Sequence, residues 1–172
     1  MRMKKSAYII NLRDQQTAVQ TYEWQIDDAF FAATEDAQIR QGSVAVTLEV
    51  ERLAAASYDL HFGLQGQVTV VCDRCMEPMS QPIEGQATLR VRLGEDDSAA
   101  GDIITIPEER GTLDLQWPIY EQIALQVPIR HVHPEGECAG ELDEALKNYA
   151  ARTEETETDP RWEALKGVLD KQ

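Results

Sequence analysis

Two cysteines set two residues apart, in Cys72-Asp73-Arg74-Cys75, can close on one metal ion from a single tight turn. Sixty residues on, His131-Val132-His133 and then Cys138 offer more donors of the same soft kind, and the chain has no fourth cysteine. Thiolate and imidazole ligands in a tetrahedron are what zinc takes. The candidate set is Cys72, Cys75, His133 and Cys138, half from a turn between strands and half from a loop after a helix. A bound ion would pin the helix end to the sheet and add a structural contribution; small zinc peptides gain about 10–16 kcal/mol of apparent binding free energy this way. His131 is the rival of His133. Their even spacing puts them on opposite faces of an extended segment, so at most one ligates. The alternative is that the three cysteines are small buried apolar residues. A redox pair is a third reading, although reactive C-x-x-C pairs draw acidity from a helix N-terminus and strands flank this one. No phosphate loop, nucleophile elbow or HExxH motif occurs, and the many carboxylates nominate no acid/base pair, so no enzyme is expected.

The elements that must position these residues are mostly strands. Val44, Val46, Leu48 and Val50 alternate with Thr47, Glu49 and Glu51. Tyr58, Leu60, Phe62 and Leu64 repeat the pattern, and Val68 and Val70 carry it to Cys72. Ala87, Leu89, Val91 and Leu93 resume it, with Thr88, Arg90 and Arg92 facing out. Such alternation describes an antiparallel sheet with one covered face, and short connections favour a meander. Ala7 to Leu12, Tyr22 to Ile26 and Asp102 to Ile106 are further strand candidates. Asp27-Asp28 before Ala29-Phe30-Phe31-Ala32 reads as a capped helical turn. The aromatics Tyr22, Trp24, Tyr58 and Phe62 sit at inward positions and read as core. Glu95 to Asp102 reads as an acidic loop.

Leu115, Ile119, Ile123 and Val127 make one apolar stripe on a helix capped by Thr112 or Asp114 and ended by Pro128. The expected fold class is therefore α+β: a mainly antiparallel, strongly twisted sheet or partly closed barrel covered by one long helix, with C-terminal helices. Residues 1–140 form the sheet-plus-helix domain with the Cys/His site. Residues 141–172 form an acidic helical extension, with helices at Leu142 to Ala151 and after Asp159-Pro160, around Trp162, Leu165, Val168 and Leu169.

Asp and Glu number 31 against 16 Lys and Arg, a formal charge of −15. A polyanion is poorly suited to coat another polyanion, and a basic protein partner fits the field better. Arg74, Arg90 and Arg92 are the exception, a candidate local patch for nucleic acid or partner binding. The apolar part of the start breaks at Asn11, Arg13 and Asp14, so no signal peptide is expected; no run of eighteen apolar residues occurs, so no membrane span is expected; and the protein is read as cytoplasmic.

At Val70-Val71-Cys72-Asp73-Arg74-Cys75-Met76-Glu77 the chain resembles the YceD family, a bacterial and plastid family of large ribosomal RNA (23S rRNA) accumulation proteins. The strand-rich half before this segment, the helix ending at Pro128, the late His/Cys segment and the terminal Asp159-Pro160-Arg161-Trp162 with Leu165 continue the likeness. Many proteins resembling this family end the late segment in a second C-x2-C; this chain offers His133 and Cys138 there instead. The resemblance implies a role in the synthesis, processing or stability of 23S rRNA, hence in large-subunit biogenesis, and brings no catalytic residues. Combined with the charge, it makes a basic large-subunit ribosomal protein or a pre-50S particle the expected partner, with rRNA reached indirectly. The alternatives are a direct rRNA-binding factor using the arginine patch, and a small zinc-stabilised or redox-active domain of unrelated function.

Overall fold

The computed structural model describes residues 7–13, 17–34, 38–95, 98–100, 103–134, 136–138, 145 and 148–149. By internal contact the chain divides into two compact units, Met1–Val71 with Pro78–His131, and Cys72–Glu77 with Val132–Gln172. Of the helical extension expected over 141–172, all but Ala145, Asn148 and Tyr149 lies outside the described residues.

The first unit is built on a six-stranded sheet. Strand β1 (Ile9–Asn11) precedes it; β2 (Val19–Ile26), β3 (Gly42–Ala54), β4 (Ser57–Val71) and β5 (Pro78–Gly94) follow as an antiparallel meander, as the alternation required. β6 (Ser98–Ala100) and β7 (Ile103–Pro107) complete it in the order β2-β3-β4-β5-β7-β6. The meander breaks at the end: β7 joins β5 in parallel, and β6 pairs antiparallel with β7. The stretch read as an acidic loop thus contains a strand. The two outermost strands do not meet, so the sheet is open rather than a barrel.

β8 (Thr112–Asp114) pairs with β1 in a separate two-stranded sheet. This corrects the reading of one long helix. Backbone groups that would have opened the helix go instead to β1, and helix α2 covers only Gln116–Leu125, ten residues. Asp114 still serves its start, since the Gln116 N–H donates to Asp114 Oδ1 at 2.9 Å. Pro118 falls in the first turn, where no intrahelical donor is lost.

Helix α1 (Asp28–Ala33) starts as expected, with the Phe30 N–H donating to Asp27 Oδ1 at 3.2 Å. The inward positions of β3 and β4 are buried together with Phe30, Phe31, Leu115, Ile119 and Ile123. Tyr58 and Phe62 are core, while Tyr22 and Trp24 are half-buried against it. Tyr120 packs edge-on to Phe31, and its hydroxyl accepts the Gln38 N–H at 2.8 Å. Among the described residues no helix is long and apolar enough to cross a membrane.

On the outward face, Arg90 grips Asp59 through both carboxylate oxygens, at 2.8 and 3.0 Å. The hydrogen bonds from Arg90 hold the Asp59 carboxyl below the usual carboxylate range, against the effect of burial. A depressed folded value means stability present above the unfolded value, about 4, and lost as pH falls through the lower folded one. Asp59→Asn is expected to lower the melting temperature by a few degrees at pH 7. The deficit should shrink below about pH 4, where the wild-type carboxylate also takes up its proton. A melting series over pH reads it. The half-exposed arginine keeps the effect modest.

Candidate metal centre

The β4–β5 hairpin pairs out to Val71↔Pro78 and is closed by Cys72–Glu77. That closure is a tight turn. The Cys72 N–H donates to the Glu77 carbonyl at 2.9 Å, and the Met76 N–H donates to the Cys72 carbonyl at 3.0 Å. Met76 takes φ 63°, left-handed backbone that costs a side-chain-bearing residue roughly 1–2 kcal/mol. The second half-site turns on Gly136, φ 87°, with the Glu137 N–H donating to the Pro134 carbonyl at 3.0 Å.

Cys72, Cys75, His133 and Cys138 converge, with one donor atom of each within 4.8 Å of all the others. All four belong to the second unit. Cys72 and Cys75 are buried; His133 and Cys138 are half-buried. The Sγ atoms of Cys72 and Cys138 lie 3.8 Å apart. His133 Nδ1 lies 3.3 Å from Cys75 Sγ and 3.9 Å from Cys138 Sγ. A tetrahedral zinc with ordinary bond lengths sets its sulfurs about 3.8 Å apart and sulfur and nitrogen about 3.6 Å apart. The three edges fit those values. The sulfur–sulfur edge is far too long for a disulfide.

His131 does not join them. Its Nδ1 turns to the Pro128 carbonyl at 3.1 Å, which leaves His133 as the imidazole of the cluster.

The electrostatics suit thiolate ligation. Burial pushes the Cys72 thiol up, but the backbone N–H groups of Cys75, His133 and Arg74 and the Cys75 thiol outweigh it and bring Cys72 down to about 5. One of these contacts is direct, the Arg74 N–H donating to Cys72 Sγ at 3.4 Å. Cys138 goes the other way. Burial, then the sulfurs of Cys72 and Cys75, push it up to about 11. Three sulfurs at this spacing cannot all carry negative charge without a cation among them, and a divalent metal ion would supply that cation. Four protein ligands around one ion would leave no open coordination position, the pattern of structural sites.

The three arginines are in different circumstances. Arg90 is committed to Asp59. Arg92 stands exposed two residues further along the same strand face, and Arg74 lies half-buried in the second unit, inside the cysteine turn. Sequence reasoning missed Asp59. The signal was available: counting twelve residues back from Val71 and twelve on from Pro78 brings Asp59 opposite Arg90. It also missed the backbone N–H groups on Cys72, which only a folded turn aims at the sulfur.

A family model described as "Large ribosomal RNA subunit accumulation protein YceD" matches residues 60–169, well over half of the chain and including all four converging side chains. No curated protein and no solved structure matches.

Proposed function

The chain belongs to the YceD family of large ribosomal RNA subunit accumulation proteins, and on that premise we propose that it acts in large-subunit biogenesis as a non-catalytic factor that binds a basic ribosomal protein. Cys72, Cys75 and Cys138 as thiolates and His133 through Nδ1 hold one zinc ion, whose chemistry is structural: it fixes the cysteine turn and the late His/Cys segment to each other. The protein works in the cytoplasm, on the free basic protein or on a pre-50S particle, and the effect on 23S rRNA follows from delivery or protection of that partner.

The observation that carries this reading is the outward face of the sheet. Glu23, Glu49, Glu51 and Glu84 stand exposed on it and outnumber its exposed Arg92 and its His61, whose Nε2 lies 3.6 Å from Glu51, while Arg90 is already neutralised by Asp59. Together with the charge of −15, that face repels phosphate and attracts lysine and arginine. Complementary charge of this kind speeds encounter and weakens with salt. A pull-down with the tagged protein at low salt is expected to enrich a basic large-subunit protein and to lose it as salt is raised. Recovery of bare rRNA with no such protein would overturn the reading.

A further inference from the structure

We propose that the outer edge of β2 takes up an extended, lysine- or arginine-rich protein segment as an additional strand of the sheet. The proposal rests on the reading that the partner is a basic protein, and it adds where and how that partner docks.

The two edges of the sheet differ. One ends in β6, three residues long. The other is β2, eight residues long, and among the described residues no strand pairs with its outer side. Proteins ordinarily blunt such an edge with lysine, proline, a bulge or a very short strand. β2 reads Val-Gln-Thr-Tyr-Glu-Trp-Gln-Ile, with no lysine, arginine, proline or glycine. Its register against β3 runs unbroken from Val19↔Glu51 to Ile26↔Val44, whereas β3 against β4 slips between Arg52 and Ala54. The one charge on β2 is Glu23, which repels acidic neighbours and draws cationic ones.

The side chains specify the occupant. Val19, Thr21, Glu23 and Gln25 are exposed on the outward face. One strand further in, Glu49 lies opposite Thr21 and Glu51 opposite Val19. A strand added at about 4.8 Å from β2 and about 10 Å from β3 puts its outward lysines or arginines within reach of Glu23 and Glu49, while the Glu51 carboxylate already has His61 Nε2 at 3.6 Å. On the other face, Tyr22 and Trp24 are half-buried with their rings stacked at 5.7 Å and 2°. They offer an apolar surface to the alternate residues of the incoming segment. Main-chain hydrogen bonds then give affinity, and the alternation of cationic and apolar side chains gives selectivity. A second copy of this chain fits badly, because pairing two β2 edges brings Glu23 and the acidic face of each molecule against its like, with −15 on both.

The test uses the full chain and a synthetic ten-residue peptide of alternating lysine and valine, with backbone amide exchange as the readout. Addition of the peptide is expected to slow exchange at residues 19–26. A peptide of the same charge with proline at alternate positions is expected to give no protection. Glu23→Lys combined with Glu49→Lys, which leaves the β2 backbone able to pair, is expected to weaken the lysine–valine peptide by about tenfold. Protection that maps elsewhere, equal binding of the proline peptide, or a concentration-dependent dimer that already protects residues 19–26 would each overturn the proposal. The basic protein recovered by pull-down separates the two readings. If it binds wild type and the Glu23→Lys, Glu49→Lys variant equally, the edge is overturned and the partner reading stands. If no basic protein is recovered, the partner reading falls, while peptide protection of β2 still supports the edge.

Discussion

Exchange of Cys72 for serine is expected to abolish zinc binding, with one equivalent per chain expected for the wild type and none for the variant. Cys72 is the fully buried member of the cluster and the thiol that backbone donors bring down to about 5. Serine keeps the size but offers a hydroxyl that does not ionise near neutral pH, and three remaining donors form a poor structural site. Cys138→Ser is expected to act the same way. His131→Ala should retain a full equivalent, because that ring is turned to the Pro128 carbonyl. Elemental analysis of the purified proteins reads all of these. The sheet has its own core, so far-UV circular dichroism of the serine variants should keep its strand signature. Acidification should also release the metal, since each thiolate and the imidazole compete with protons for the same electron pairs. Wild-type protein without metal would return the cysteines to simple buried residues.

Phe62→Ala is the second large effect, expected to cost about 3–5 kcal/mol of stability. The ring is 1% exposed in the middle of β4, the strand that leads into Cys72. Truncation removes the apolar area from the core and leaves a cavity that close-packed β-strands cannot fill. Against a typical domain stability of ~5–15 kcal/mol, that shifts the urea midpoint far to the left. Gln86→Ala, at an exposed position of β5, should fall within about 0.5 kcal/mol of wild type. A loss of under about 1 kcal/mol at Phe62 would mean that the covered face of the sheet has been assigned to the wrong side.

The meander from β2 to β5 was legible because period-two alternation over long strands admits one burial pattern. Val44 to Val50 and Tyr58 to Leu64 therefore fell on the correct face. The parallel pairing of β5 with β7 was not legible. Its partners, such as Arg90 and Ile103, are chosen by which sheet edge is free, and no local pattern encodes that. The short strands β6 and β8 escaped for a related reason: three residues carry too little periodicity to compete with a loop or helix reading. At the cluster, the C-x2-C spacing was enough to nominate the turn. Parity allowed one histidine but did not say which, and the hydrogen bond from the His131 ring to the Pro128 carbonyl decides it. The ion pair that occupies Arg90 depended on register, so one of the three arginines nominated from the sequence is neutralised by Asp59 in the fold.

The most direct test of the account is an anisotropy titration of the labelled, zinc-loaded protein with two ligands in parallel: the purified basic proteins of the large subunit, and 23S rRNA stripped of protein. Saturable binding to one or more of the proteins, weakening steeply as salt rises, with no binding to the stripped rRNA, is the predicted result. Tight binding to the stripped rRNA, with none of the basic proteins bound, would contradict it.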